Sequence, residues 1–381
     1  MSALALLNGR VLIGSAFEEG RAVVIEGGRI AAIVPNGDVP AGTRSLDLGG
    51  HFLMPGFIDT QVNGGGGVLF NDRPDADAIA AIGAAHRRFG TTGFLPTLIS
   101  DDMAKVRAAM EAVRTASVPG LLGIHLEGPF LNLAKRGIHE AAHIRAMAEA
   151  DLALLKQPVG AGRTLVTLAP EKVGPAAIRA LADAGVIVAA GHSEADWATV
   201  VDALDHGLAG FTHLFNAMSP LQSRAPGMVG AALDDGRGHI GIIVDGRHVH
   251  PAVLRIAIRA GGAERFMLVT DAMPSVGLRE KSFELQGRTI RVEDGVCVDS
   301  AGTLAGSDLD MASAVRNAVA MLGLSLAEAA NMAGRNPARF LGLGGELGRI
   351  AVGYRADLVL ATRDVEILET WIGGEAVLPA A

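Results

Sequence analysis

The chain has 381 residues, 49% of them hydrophobic, with a formal net charge of −8, a mean hydropathy of +0.33 and a single cysteine, Cys297. That size can bury a large core and suits one large domain with a smaller companion. The negative balance and an aromatic content of 4% exclude a nucleic-acid binder that works by displacing counterions or stacking bases, and one cysteine excludes an intrachain disulfide. No apolar run reaches the ~18 residues of a spanning helix, so no membrane partner is expected. The opening MSALALLNGR has neither a basic leader nor a small-residue cleavage site, and the expected compartment is a reducing cytoplasm.

In chain order, residues 4 to 48 read as short strands and turns: ALLNGRVLI, RAVVIEGGRIAAIV with its Gly27-Gly28 pair, then TRSLDL. They suit a small antiparallel sheet. From Gly56 the rhythm changes to apolar runs alternating with helix-like stretches, the mark of parallel βα units. Eight runs follow: FIDTQV from Phe57, GFLPT from Gly93, LLGIHL from Leu121, TLVTL from Thr164, VIVAA from Val186, AGFT from Ala209, IGIIV from Ile240 and FMLVT from Phe266. Eight is the number of a (β/α)8 barrel. The stretches between them include DADAIAAIGAAHRRFG and EADWATVVDALDHG, some opening on an Asp and several closing on Gly as helix caps prefer. In the eighth unit SFELQGRTIRVEDGVCVD, from Ser282, predicts a β-hairpin over the mouth before the helix LDMASAVRNAVAML. After Gly345 strand-like phrases return. The expected organisation is an α/β fold: a barrel over 51–345, and a small β domain assembled from 1–50 and 346–381.

Glu127, His192, His213 and Asp271 each stand at the carboxyl end of an apolar run. In a parallel barrel those ends meet at one mouth. Two imidazoles and a carboxylate there make a donor set for zinc with an open position, and the aspartate is left for proton transfer. Each residue alone is weak evidence. Asp271 read by itself is a helix N-cap, and His125, two residues before Glu127, shares its side of the strand and is left open as a ligand by geometry alone. The Gly64–Gly67 run lacks a following Gly-Lys-Ser/Thr and reads as a flexible turn. Cys297 reads as packing, while Met273 and Met311 either line a site or fill gaps.

The phrases PGFIDTQVNGGGG, GIHLEGPFLN, KRGIHE, AGHSEA, THLFNAM, SRAPG, DGRHVHP, LVTDAM, TLAGSDLDM and GELGRIAVGYRADLVL stand in this order from residue 55 to residue 360. Through them the chain resembles the amidohydrolase superfamily and, within it, the N-acetylglucosamine-6-phosphate deacetylase family. The resemblance implies a TIM-like barrel with a small β-sandwich, a homodimer, and hydrolysis of a linear amide that frees acetate from the sugar phosphate. It implies metal ligation by Glu127, His192 and His213, acid/base work by Asp271, and contact of His139 with the substrate acetyl group. Ile138, Asn216, Ala217 and the Leu304-Ala305-Gly306 segment match substrate-contacting positions. Arg224 and His248 match a phosphate-binding pair supplied across the dimer interface. Many superfamily members carry His-x-His where this chain has Gln61 and Asn63; amide oxygens are poorer ligands for such ions. One divalent metal per subunit is therefore expected, zinc first, with iron(II) or cobalt(II) able to take the same donors. The 4-epimer phosphate is the alternative substrate. A barrel that has lost catalysis is the rival from another class, disfavoured because all four residues are present, and a two-metal cyclic amidase lacks the His-x-His pair.

Overall fold

The computed structural model describes residues 3–293 and 295–376. Each of the eight apolar runs forms a strand: Phe57–Val62, Thr91–Ile99, Gly123–Glu127, Arg163–Leu168, Ile187–Ala190, Leu208–Phe211, His239–Ile242 and Phe266–Leu268. They pair in parallel, in chain order, as one eight-stranded sheet. The first three are buried along their whole length, because helices cover one face and the barrel core covers the other. Aspartates open the intervening helices as their sequence position suggests. Asp75, Asp196 and Asp310 each accept a backbone N–H three residues on, at 2.8 Å. Inside the barrel Ile58, Leu95, Leu122, Leu165, Ala189 and Met267 pack together with Phe340. This apolar plug fills the interior and leaves the strands' carboxyl ends as the open face.

Two smaller sheets draw on both ends of the chain. One joins Leu4–Leu7, Arg21–Glu26, Arg29–Pro35 and Arg44–Asp47; the other joins Ala16–Glu18, Arg10–Ile13, Phe52–Pro55, Leu358–Ala361, Ile367–Ile372 and Glu375–Ala376. Leu6, Val23, Leu53, Leu358 and Trp371 share one buried cluster, so neither terminus covers its apolar face without the other. The expected boundary at residue 50 shifts. Phe52–Pro55 pairs antiparallel with Leu358–Ala361 in the small domain, and the chain enters the barrel only after Gly56. A Cβ on Gly56 would lie 2.0 Å from the Thr92 hydroxyl, so a glycine is needed at this crossing. The hairpin expected from Ser282 is larger than its sequence suggests. Strands Ser282–Leu285, Arg288–Glu293, Val296–Val298 and Leu304–Ser307 form a four-stranded antiparallel sheet.

The barrel closes between its first and eighth strands through few backbone contacts. Asp271 N–H donates to the Gln61 carbonyl at 2.9 Å, and Val62 bridges Ala272. A side-chain clasp reinforces this seam: the Thr270 hydroxyl donates to Asp59 Oδ2 at 2.5 Å, while Asp59 Oδ1 accepts from the backbone N–H groups of Gln61 and Thr270. Burial pushes the Asp59 carboxyl from 3.8 up to about 7, against those hydrogen bonds. Unfolded chain releases this proton near 3.8. The stability supplied by the protonated group is therefore complete below that pH and is lost as pH rises through about 7. Relative to wild type, Asp59→Asn should grow more stable as pH increases from 4 to 7, as read by urea unfolding at a series of pH values; parallel stability curves would contradict the assignment.

Candidate active site

Glu127 ends the third barrel strand, and His192, His213 and Asp271 follow the fifth, sixth and eighth. The last three have φ of 50°, 33° and 53°. Left-handed backbone at a non-glycine costs on the order of 1–3 kcal/mol and persists only where surrounding structure enforces it. Here it turns each chain sharply at the rim, and all four side chains line one cavity of about 260 Å³.

Three donor atoms converge. His192 Nε2, His213 Nε2 and Glu127 Oε1 lie 3.1, 3.0 and 3.0 Å from one another. His192 Nδ1 lies 2.8 Å from the Lys135 carbonyl oxygen. A carbonyl only accepts, so Nδ1 carries the proton, and in the neutral ring Nε2 is a bare lone pair. That lone pair faces a carboxylate oxygen, an arrangement that repels unless positive charge lies between them. A tetrahedral ion with ligand distances of ~2.0–2.1 Å would set its ligand atoms roughly 3.3 Å apart, and the observed triangle fits.

Gln61 Nε2 donates to Glu127 Oε2 at 3.2 Å and to Asp271 Oδ1 at 3.1 Å; Asn63 Nδ2 donates to the same Asp271 oxygen at 2.6 Å. Both amides thus present N–H groups, not oxygens, to these carboxylates. Asp271 caps no helix. With Oδ1 held from below, Oδ2 accepts no hydrogen bond among the described residues. Burial first, and the neighbouring Glu127 charge second, push this carboxyl up to about 6, a range in which it can take and return a proton near neutrality.

His139 lies in the loop after the third strand, its ring 4.5 Å from that of His192. One of its ring nitrogens lies within 4.8 Å of the Glu127 and His192 donor atoms. Its Nδ1 accepts the backbone N–H of Ser100 at 3.2 Å and lies 2.8 Å from the Ser100 hydroxyl. Since an amide N–H only donates, Nδ1 is the acceptor and the proton of the neutral ring sits on Nε2. Burial, with His192 beside it, takes the His139 imidazole down to about 3 and keeps it neutral. The result is a fixed N–H donor beside the convergent triad, not another lone pair. His125 sits one layer below, with Nδ1 3.3 Å from the Thr97 hydroxyl and Nε2 2.7 Å from that of Thr167. Both ring nitrogens are thereby occupied, and the ambiguity left by strand periodicity disappears.

Ile138, Asn216, Ala217, Leu304 and Gly306 line the cavity with Asn63 and Met273. Ala305 does not. Strand alternation turns it into the hairpin's buried cluster with Leu285 and Cys297. Met311 is likewise core, and the Cys297 thiol, pushed up to about 12 by burial, is packing. His248, expected to act across a dimer interface, lines the cavity of its own chain, with Nδ1 2.5 Å from Asp245 Oδ2 and its side chain only 5% exposed. Arg224 is exposed and lies outside the cavity wall. Sequence reasoning missed Ser100 and Asp245. Ser100 closely follows the second barrel strand, and Asp245 precedes His248 by three residues, so strand ends and Asp-x-x-His spacing were the available signals.

Known proteins resemble the chain over both the barrel and the small domain. The amidohydrolase family matches residues 52–377, and the NagA composite domain matches residues 4–53. An N-acetylgalactosamine-6-phosphate deacetylase of Shewanella sp. (strain ANA-3) is 49% identical over 333 residues, 86% of this chain and 84% of that one. An N-acetylglucosamine-6-phosphate deacetylase of Haemophilus influenzae is 34% identical over 368 residues, 93% and 94% of the two chains. The crystal structure of N-acetylglucosamine-6-phosphate deacetylase from Pasteurella multocida superposes with a TM-score of 0.94 at 35% identity, covering 99% of this chain and 100% of that one. Over barrel and small domain alike, in sequence and in the arrangement of its strands, the chain belongs to the amidohydrolase family.

Proposed function

We propose that the protein is a metal-dependent deacetylase that converts N-acetylglucosamine 6-phosphate to glucosamine 6-phosphate and acetate. The observation that carries this reading is the convergence of three ligand atoms beside a carboxyl group and an N–H donor within one cavity. Glu127, His192 and His213 would hold one divalent ion, zinc first, with iron(II) or cobalt(II) accommodated by the same donors. Bound there, the ion supplies Lewis-acid polarisation of the acetyl carbonyl and acidifies water toward a pKa of ~7. Asp271 accepts the attacking water's proton at Oδ2 as the new C–O bond forms. It then delivers that proton to the sugar nitrogen as the C–N bond breaks. His139 donates Nε2–H to the acetyl oxygen while negative charge accumulates on it. Ile138, Asn216, Ala217, Leu304 and Gly306 shape the sugar site, and His248, held by Asp245, offers Nε2 to it.

The 4-epimer, N-acetylgalactosamine 6-phosphate, is the second reading, favoured by the Shewanella relative at 49% identity. Amine release from both phosphates and from unphosphorylated N-acetylglucosamine separates the possibilities. Release from the phosphates alone is expected, faster from the gluco form; a preference for the epimer reverses the choice, and release from neither would end the deacetylase reading. Asp271→Asn should lower kcat by ~10²–10⁴-fold with metal retained. Near-normal turnover would remove Asp271 from the proton path.

Elemental analysis of zinc-reconstituted protein should find one equivalent per chain, and Glu127→Gln should lose it on dialysis. Two tightly held equivalents would contradict the single site.

No lysine or arginine is among the residues that line the cavity, so the cavity wall itself gives the phosphate's charge no cationic side chain of that kind. Exposed Arg224 of a second copy would supply the guanidinium fork suited to phosphate. Arg224→Ala is then expected to raise KM for the phosphorylated sugar about tenfold with little change in kcat, and light scattering should show a dimer. A monomer with wild-type KM would exclude this arrangement. No helix among the described residues is long and apolar enough to cross a membrane, and a cytoplasmic location suits the single free cysteine; secretion of the full-length protein from its source cells would contradict it.

A further inference from the structure

The strands Ser282–Leu285 and Arg288–Glu293 are joined by Gln286-Gly287, with φ of 49° and 78°. A two-residue turn of this hand favours Asn, Asp or Gly at its first position. Glutamine is a poor local choice there, and its side chain is used elsewhere. Gln286 Nε2 donates to the carbonyl of Ser100 at 3.2 Å. Ser100 is the residue whose N–H and hydroxyl hold His139 Nδ1. Across the turn, Arg288 donates to Glu140 Oε2 at 3.1 Å, and Glu140 follows His139 in the chain. Beneath both contacts, Leu285 and Ile290 of the hairpin share a buried cluster with Ile99 and Ile138, the residues that precede Ser100 and His139. The hairpin therefore grips both the residue that orients the His139 ring and the segment that carries it.

We propose that this hairpin is a positioning device for the deacetylation step, with Gln286 and Arg288 as positioning residues that hold His139 in its Nε2–H donor orientation through Ser100 and Glu140. The proposal rests on the deacetylase reading and extends it to residues outside the cavity. Neither Gln286 nor Arg288 lines the cavity wall, so ground-state contacts to the sugar survive their loss. What weakens is an interaction made as charge develops on the acetyl oxygen, which lowers kcat and leaves KM in place.

Gln286→Asn gives a discriminating test, because asparagine suits the turn better than glutamine but is one carbon too short for Ser100. It should lower kcat about tenfold, short of the ~10²-fold or more that loss of an oxyanion donor causes, with KM within about twofold of wild type and no loss of melting temperature. Arg288→Ala should act in the same direction, and Arg288→Lys should restore most of the rate. As a readout without turnover, 15N-histidine-labelled protein should show the His139 nitrogens, assigned with His139→Gln, as one fixed Nε2–H form in wild type and as an averaged pair in Gln286→Asn. A Gln286→Asn enzyme with wild-type kcat overturns the proposal. If wild type releases amine from neither sugar phosphate, the deacetylase reading fails instead, and the imidazole spectrum decides alone: unchanged His139 signals in Gln286→Asn would overturn the positioning role.

Discussion

Two bare lone pairs do not rest 3.0 Å apart in a buried site unless something positive lies between them, and the mouth of this barrel is built around such a confrontation. The Lys135 carbonyl fixes the His192 proton on Nδ1 and so turns Nε2 toward Glu127 as a pure acceptor. His213 brings its Nε2 to the same oxygen. The Gln61 amide donates to Glu127 Oε2 and leaves Oε1 facing the two imidazoles, as a cation at that point requires.

Holding such groups together requires strained backbone, and the fold supplies the restraint. His192, His213 and Asp271 occupy left-handed conformations at the rim of a barrel whose interior is filled by the side chains packed around Phe340. Asp271 depends besides on the seam between first and eighth strands, where its N–H meets Gln61 and Asp59 clasps Thr270. The hairpin on the far side performs a similar service for His139. Binding residues thus sit on the strand ends, and the residues that orient them lie one layer outside the cavity.

Much of the site was legible because barrel chemistry concentrates at strand ends. Glu127, His192, His213 and Asp271 stand out once eight apolar runs are counted, and the phrases around them carry the family resemblance. The orienting layer was far less visible. Ser100 is an ordinary serine in sequence, and nothing local distinguishes Gln286 from any glutamine in a turn. His248 was recognised by its motif, but the carboxylate of Asp245 that holds its ring was not.

Sequence alone determined the alternation of strand and helix, the number of barrel strands, the candidate ligands and the exclusion of an intrachain disulfide, because these follow from local periodicity and residue chemistry. Tertiary structure decided which ring nitrogen of His192 and of His139 carries the proton, that His125 lies beneath the donors while His139 lies beside them, and that Ala305 faces away while Leu304 faces in. It also set the boundary of the small domain, where Phe52–Pro55 joins a strand more than 300 residues away. Each of these turns on a partner distant in the chain. Hydrogen-bond direction and side-chain facing are properties of pairs, and a linear sequence names the members of a pair without placing them together.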